Sequence, residues 1–138
     1  MYICMEEAYK IMAETKKKVL IVVVGPTGVG KTKLNIALAR HYGTDVINAD
    51  SRQMFKELKI GTAAPTTEEM CGVHHYFVGN LSVRDYYSAS RFETDVLELL
   101  EKIFERSDIA LMSGGSMMYI DAVCDGIDDI PTVDNTTR

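Results

Sequence analysis

The sequence predicts an α/β domain with three layers and a mostly parallel sheet, and three observations carry that reading. Val19 to Val24 is a run of six apolar, mostly β-branched residues, the signature of a strand buried on both faces. The run breaks into Gly25-Pro26-Thr27-Gly28-Val29-Gly30-Lys31-Thr32, and a helical pattern follows from Lys33 to His41. A second short strand, Asp45 to Ala49, comes next, and strand, helix, strand in that order gives a parallel pair. Strand 19–24 is expected at the centre of the sheet.

The glycine-rich stretch has the spacing Gly-x-x-x-x-Gly-Lys-Thr between a strand and a helix, the context in which such a loop cradles phosphate. Gly25, Gly28 and Gly30 have no Cβ and can take positive φ, so successive backbone N–H groups can turn inward around an anion. The helix adds its N-terminal donors and the positive end of its dipole. Lys31 supplies a full charge to phosphate oxygens, and the Thr32 hydroxyl is placed to ligate Mg²⁺. A diphosphate or triphosphate, a nucleotide such as ATP included, is the expected ligand of a P-loop NTPase-like domain of this kind.

With 138 residues, the chain has the length of one domain with a proper core. Residues 1–15 read as an N-terminal extension and 16–138 as the P-loop catalytic domain. Apolar residues are 46% and charged residues 25%, the balance of a soluble globular protein. No apolar run approaches the ~18 residues that cross a bilayer, so no membrane is expected. Cys4, Cys71 and Cys124 are widely spaced and odd in number, which suits free thiols in a reducing compartment.

Further along, the first helix is expected to bury Leu34, Leu38 and Ile36 and to end at Gly43 in a left-handed cap. Asp50 ends the second strand, at the sheet edge where ligands of parallel sheets sit, with Ser51, Arg52 and Gln53 after it. Met54, Phe55 and Leu58 suggest one or two helical turns, and Thr67 to Met70 a short helix start. His74 to Val78 reads as a third strand; its adjacent histidines point to opposite faces and make a poor metal pair. Phe92, Val96, Leu99, Leu100 and Ile103 give a helix over 88–106, capped by Ser90 with Glu93 or by Ser88. Ile109 to Met112 is a fourth strand, Gly114-Gly115 lets backbone approach a ligand closely, and a last helix runs from Met117 to Cys124, ending at Gly126.

Most P-loop hydrolases carry an acid at the end of an apolar strand to hold Mg²⁺. Strand 109–112 ends in Ser113-Gly114, with Asp108 at its other end; the acid that does cap a strand is Asp50. Gly25 to Thr32 together with Asn48-Ala49-Asp50-Ser51-Arg52-Gln53-Met54-Phe55 strongly resembles the tRNA dimethylallyltransferases. Ile60-Gly61-Thr62-Ala63, His74-His75, Tyr87-Ser88-Ala89 and Gly114-Gly115-Ser116 with Tyr119 match further blocks in the same order, from about Lys18 to Pro131.

The resemblance implies transfer of a dimethylallyl group from dimethylallyl diphosphate to the exocyclic amine of the adenosine 3′ of the tRNA anticodon. On it, Gly25, Pro26, Thr27, Gly28, Val29, Gly30, Lys31 and Thr32 hold the diphosphate, with Thr27 and Lys31 acting on the leaving group and Thr32 on Mg²⁺. Asp50 takes the amine proton, and Asp50, Ser51, Arg52, Gln53 and Ser116 lie against the tRNA. Family members are usually much longer, with parts that grip the anticodon stem-loop; the resemblance thus implies a domain truncated before them, a monomer that binds tRNA weakly. The net charge of −5 points the same way. Two positions depart from the family pattern: Ala64 stands for a lysine and Met117 for a glycine. A small-molecule P-loop kinase and an inactive diphosphate-binding fragment are the other readings.

Overall fold

The computed structural model describes residues 18–25, 30–58 and 64–126. Residues 1–15, the expected extension, and Pro26, Thr27, Gly28 and Val29 of the loop lie outside the described residues.

The elements follow in the order β1 (Val19–Val24), α1 (Lys31–Tyr42), β2 (Val46–Asn48), α2 (Thr67–Met70), β3 (His75–Tyr76), α3 (Ala89–Arg106), β4 (Ile109–Gly114) and α4 (Met117–Asp125). All pairings in the sheet are parallel, in the order β1-β4-β2-β3. The three layers are present. Val19, Ile21, Val46, Ile109 and Leu111 pack with Leu38 and Ala39 of α1 on one face. Val22, Ile47, Ala110 and Met112 pack with Phe92, Val96, Leu100 and Ile103 of α3 and with Tyr119 and Ile120 of α4 on the other.

The expected central position of β1 is not observed: among the described residues β1 is an edge strand, paired only with β4. Its apolar run reports burial of its faces by helices, and says nothing about hydrogen bonding at its sides. The interior strands are β4 and β2, every residue of which is buried, whereas Leu20, Val23 and Val24 of β1 are half-buried. Consequently β1 and β2, joined through α1, are not neighbours.

Helix boundaries follow local chemistry closely. Gly30 precedes α1 at φ 85° and Gly43 follows it at φ 63°, both conformations that L side chains resist. Leu34 is exposed, against expectation, and Asn35 takes its place among the buried residues of α1. The buried stripe runs through 35, 38 and 39, and Leu34 sits about a hundred degrees off it. Ser88, not Ser90, caps α3, its Oγ accepting from Arg91 N at 3.2 Å. The reciprocal cap occurs instead at α2, between Thr66 and Glu69. Residues 56–58 form a single 3₁₀ turn.

Candidate active site

At the carboxyl ends of β2 and β4, beside the start of α1, lies a cavity of about 230 Å³. Its walls include Gly30, Lys31 and Thr32 from the loop and helix, Asp50 and Gln53 after β2, and Ser113 and Gly114 at the end of β4. Gly30, Lys31 and Thr32 of the predicted stretch and Asp50 thus open on one space, although they follow different strands. Pro65, Glu69 and His75 close it from the α2 and β3 side.

Lys31 and Asp50 each have defined hydrogen-bond partners. Lys31 Nζ donates to the Gly25 carbonyl, which holds the ammonium across the end of β1. One oxygen of Asp50, Oδ1, accepts from the backbone N–H of Arg52 at 3.0 Å and of Gln53 at 3.3 Å, the short-range turn that aspartate favours. Oδ2 has no hydrogen-bond partner among the described residues. Arg52 is exposed, and Ser51 and Gln53 are half-buried.

Ser116, expected against tRNA, faces the neighbouring loop. Its Oγ accepts from Ser51 N at 2.8 Å and lies 3.1 Å from Ser51 Oγ, while Ser116 N donates to Ala49 O at 3.2 Å. These bonds tie the loop after β4 to the loop that carries Asp50. Gly114 serves the same junction: a Cβ there would lie 2.3 Å from the Ala49 carbonyl carbon and oxygen. The close approach expected for a ligand at this glycine is therefore, at Gly114, an approach of one strand end to another.

Sequence reasoning passed over Asn35, Asn48, Ser113, Glu69 and His75 as site residues. For Asn35 the available signal was a polar side chain on the buried stripe of an otherwise apolar helix face. No set of three or more metal-ligating side chains of the histidine, cysteine and carboxylate kinds occurs among the described residues. Asp108 pairs with Lys18 at 2.6 Å, at the opposite edge of the sheet. Tyr119 stacks on Phe92 in the core, and Tyr87 donates to Asp95 at 2.6 Å, so these two motif residues support α3 and α4 from the far face.

His75 supplies a titratable group in the wall of the cavity. Burial holds its imidazole below the ordinary value of 6.5, His74 adds to this, and the Val73 carbonyl and Asp45 oppose it. A folded value lower than the unfolded one means that the unfolded chain takes up the proton first as pH falls. Stability from this group is complete above 6.5 and is lost as the pH drops through the folded value. Urea midpoints are expected to fall on acidification below about 6.5, and less steeply in His75→Gln; parallel curves for the two proteins would assign the loss to other groups.

A parallel sheet between helical layers, with a Gly-Lys-Thr helix start at its carboxyl edge, defines an α/β domain of the P-loop fold class. Residues 53–138 match the IPP transferase family model, and the chain belongs to that family. It is 60% identical over 119 residues to tRNA dimethylallyltransferase 1 of Phocaeicola vulgatus, covering 86% of this chain and 40% of that protein. The full-length tRNA isopentenylpyrophosphate transferase of Bacillus halodurans superposes with a TM-score of 0.78 at 34% identity, over 88% of this chain and 40% of the other. A eukaryotic dimethylallyltransferase acting on tRNA gives 0.75 at 31%, over 87% and 31%. The chain thus spans about 40% of the length of the curated relatives it matches. No helix among the described residues is long and apolar enough to cross a membrane.

Proposed function

We propose that this domain binds dimethylallyl diphosphate and supports transfer of its five-carbon group to the exocyclic amine of an adenosine in tRNA. The observation that carries this reading is the shared cavity: Lys31 and Thr32 on one wall, Asp50 on another. Diphosphate leaves readily only when its developing charge is neutralised, which the Lys31 ammonium and the N-terminal donors of α1 would do. The adenine amine is a weak nucleophile, so it needs positioning and a carboxylate to take its proton. In the balanced step the amine nitrogen bonds to the first prenyl carbon, the carbon–oxygen bond to diphosphate breaks, and the amine proton passes to Asp50.

The oxygen donors in the cavity, the hydroxyls of Thr32 and Ser113 and the carboxylates of Asp50 and Glu69, suit a hard cation. Thr32 would hold Mg²⁺, whose charge would help neutralise the departing diphosphate. The adenosine 3′ of the anticodon, in a loop, is the fitting acceptor, because an unpaired base leaves its stack more easily. The domain would act as a monomer in the cytoplasm and hold tRNA weakly by itself, since its excess of acidic residues offers few phosphate contacts.

Isothermal titration with dimethylallyl diphosphate and with ATP tests the donor assignment. The prenyl donor is expected to bind and ATP to bind more weakly. Preference for ATP would turn the reading toward a small-molecule kinase.

A further inference from the structure

The charged side chains of the domain differ between the two edges of the sheet. At the amino edge two cations are taken up in ion pairs, Lys18 with Asp108 and Arg106 with Asp45, both at 2.6 Å. At the carboxyl edge, beyond Asp50, two segments lie side by side: 51–58, and 79–91, which runs into the start of α3. Gly79 N donates to Gln53 O, Leu81 N to Met54 O and Lys56 N to Leu81 O, each at 2.9 Å. These segments carry four cations, Arg52, Lys56, Arg84 and Arg91, all exposed and none in an ion pair among the described residues. Against them stand two acids, Glu57 and Asp85, in a chain whose net charge is −5.

The two acids are committed to the backbone and hydroxyl groups of the segments themselves. Glu57 accepts from Ser82 Oγ at 2.7 Å with one carboxylate oxygen and from Val83 N at 3.2 Å with the other. Asp85 Oδ2 accepts from Ser82 N at 2.8 Å. The carboxylates thus hold one segment to the other, while the cations face solvent. The Arg91 guanidinium lies over the Tyr87 ring, 5.9 Å from its centre, and Tyr86 is 64% exposed.

Unpaired cations with an exposed ring among them are the chemistry that meets single-stranded nucleic acid, charge on phosphates and ring on an unstacked base. The location fits the acceptor already assigned. Asp50 Oδ1 holds the Arg52 and Gln53 N–H groups, so this surface begins at the residue assigned the amine proton. We propose that the face formed by 51–58 and 79–91 holds the RNA backbone beside the acceptor adenosine. Lys56, Arg84 and Arg91 join Arg52 in meeting phosphates, and Tyr86 receives an unpaired neighbouring base. The inference rests on the reading of the domain as one that modifies an adenosine in tRNA.

The test is titration of the 138-residue chain with a fluorescent anticodon stem-loop RNA at several salt concentrations. The double variant Lys56→Gln, Arg84→Gln is expected to bind about 10–30-fold more weakly at ~0.1 M salt, with the salt slope lowered by about 1.4, ~0.7 for each single-strand phosphate contact. Its unfolding midpoint should not move, because both side chains are exposed. Lys102→Gln, which removes an exposed cation near the far end of α3, should leave the affinity unchanged. A fully paired RNA of the same length should bind more weakly, having no base free to stack on Tyr86. Unchanged affinity in the double variant would overturn the proposal, and so would an equal loss per charge in Lys102→Gln. Equal binding of the paired RNA would overturn it too, as would no binding of the stem-loop at ~0.02 M salt, where phosphate contacts are strongest. Tighter binding of poly-glutamate than of the RNA would give the face to an acidic protein. Dimethylallyl diphosphate bound as proposed, beside RNA affinity indifferent to Lys56 and Arg84, would sink this surface alone. The expected RNA effects without donor binding would support the surface and sink the donor assignment.

Discussion

In a protein carrying this domain at the full length of its relatives, Asp50→Asn is expected to lower the rate of prenyl transfer by about 10²–10⁴-fold. Affinity for dimethylallyl diphosphate should hardly change. Asparagine is the informative substitution because Asp50 has two duties. Its Oδ1 braces the loop by accepting from Arg52 N and Gln53 N, and asparagine keeps that acceptor. Only the proton-accepting carboxylate is removed. Asp50→Ala would unbrace the loop as well, and its loss of activity would mix positioning with chemistry. Single-turnover rates with an anticodon stem-loop, set beside titrations of the prenyl donor, separate the two effects. Equal losses in rate and in donor affinity would make Asp50 a cation ligand and remove it from the proton transfer.

What the sequence displayed of this site was local. A β-branched run, three glycines at fixed spacing and a helix start specify backbone conformation over a few residues, and Gly30, α1 and Gly43 adopt it. Asp50 was legible because it follows a short strand, and strand ends in parallel sheets share an edge. The order of strands was not legible. Val19 to Val24 and Ile109 to Met112 are equally apolar, and which of them has hydrogen-bonded neighbours on both sides depends on contacts across the whole chain.

The polar floor of the cavity was hidden for a related reason. Asn35, Asn48 and Ser113 come from three different elements, and their burial together exists only once α1 covers the faces of β2 and β4. Leu34 misled because one step around a helix separates a buried residue from an exposed one. Ser116 kept the hydroxyl of its motif, yet its hydrogen bonds serve the loop of Asp50. That motif therefore contributes to the site by holding a neighbouring segment in place.

Gly114→Ala should be the most damaging single methyl that this part of the domain can receive. Its Cβ would meet the Ala49 carbonyl carbon and oxygen at 2.3 Å and the Ala49 Cα at 2.9 Å, and all three are backbone. No rotamer relieves such a clash, so the end of β4 must separate from the segment after β2. That segment is pinned from both sides, by Ala49 N donating to Ser113 O at 2.7 Å and Ser116 N donating to Ala49 O at 3.2 Å. Separation therefore breaks hydrogen bonds as well as packing. The expected loss is at or above the top of the ~1–3 kcal/mol range for overpacked sites. A domain of ordinary stability, about 5–15 kcal/mol, would lose a large share of it. Gly115→Ala is the matched control, because a Cβ there approaches only Gly25 O, at an ordinary 3.7 Å. Urea unfolding of the two variants should show a large fall in midpoint for residue 114 and a small one for residue 115. Equal midpoints would mean that the junction of β2 and β4 yields freely, and that Asp50 is held by its own turn alone.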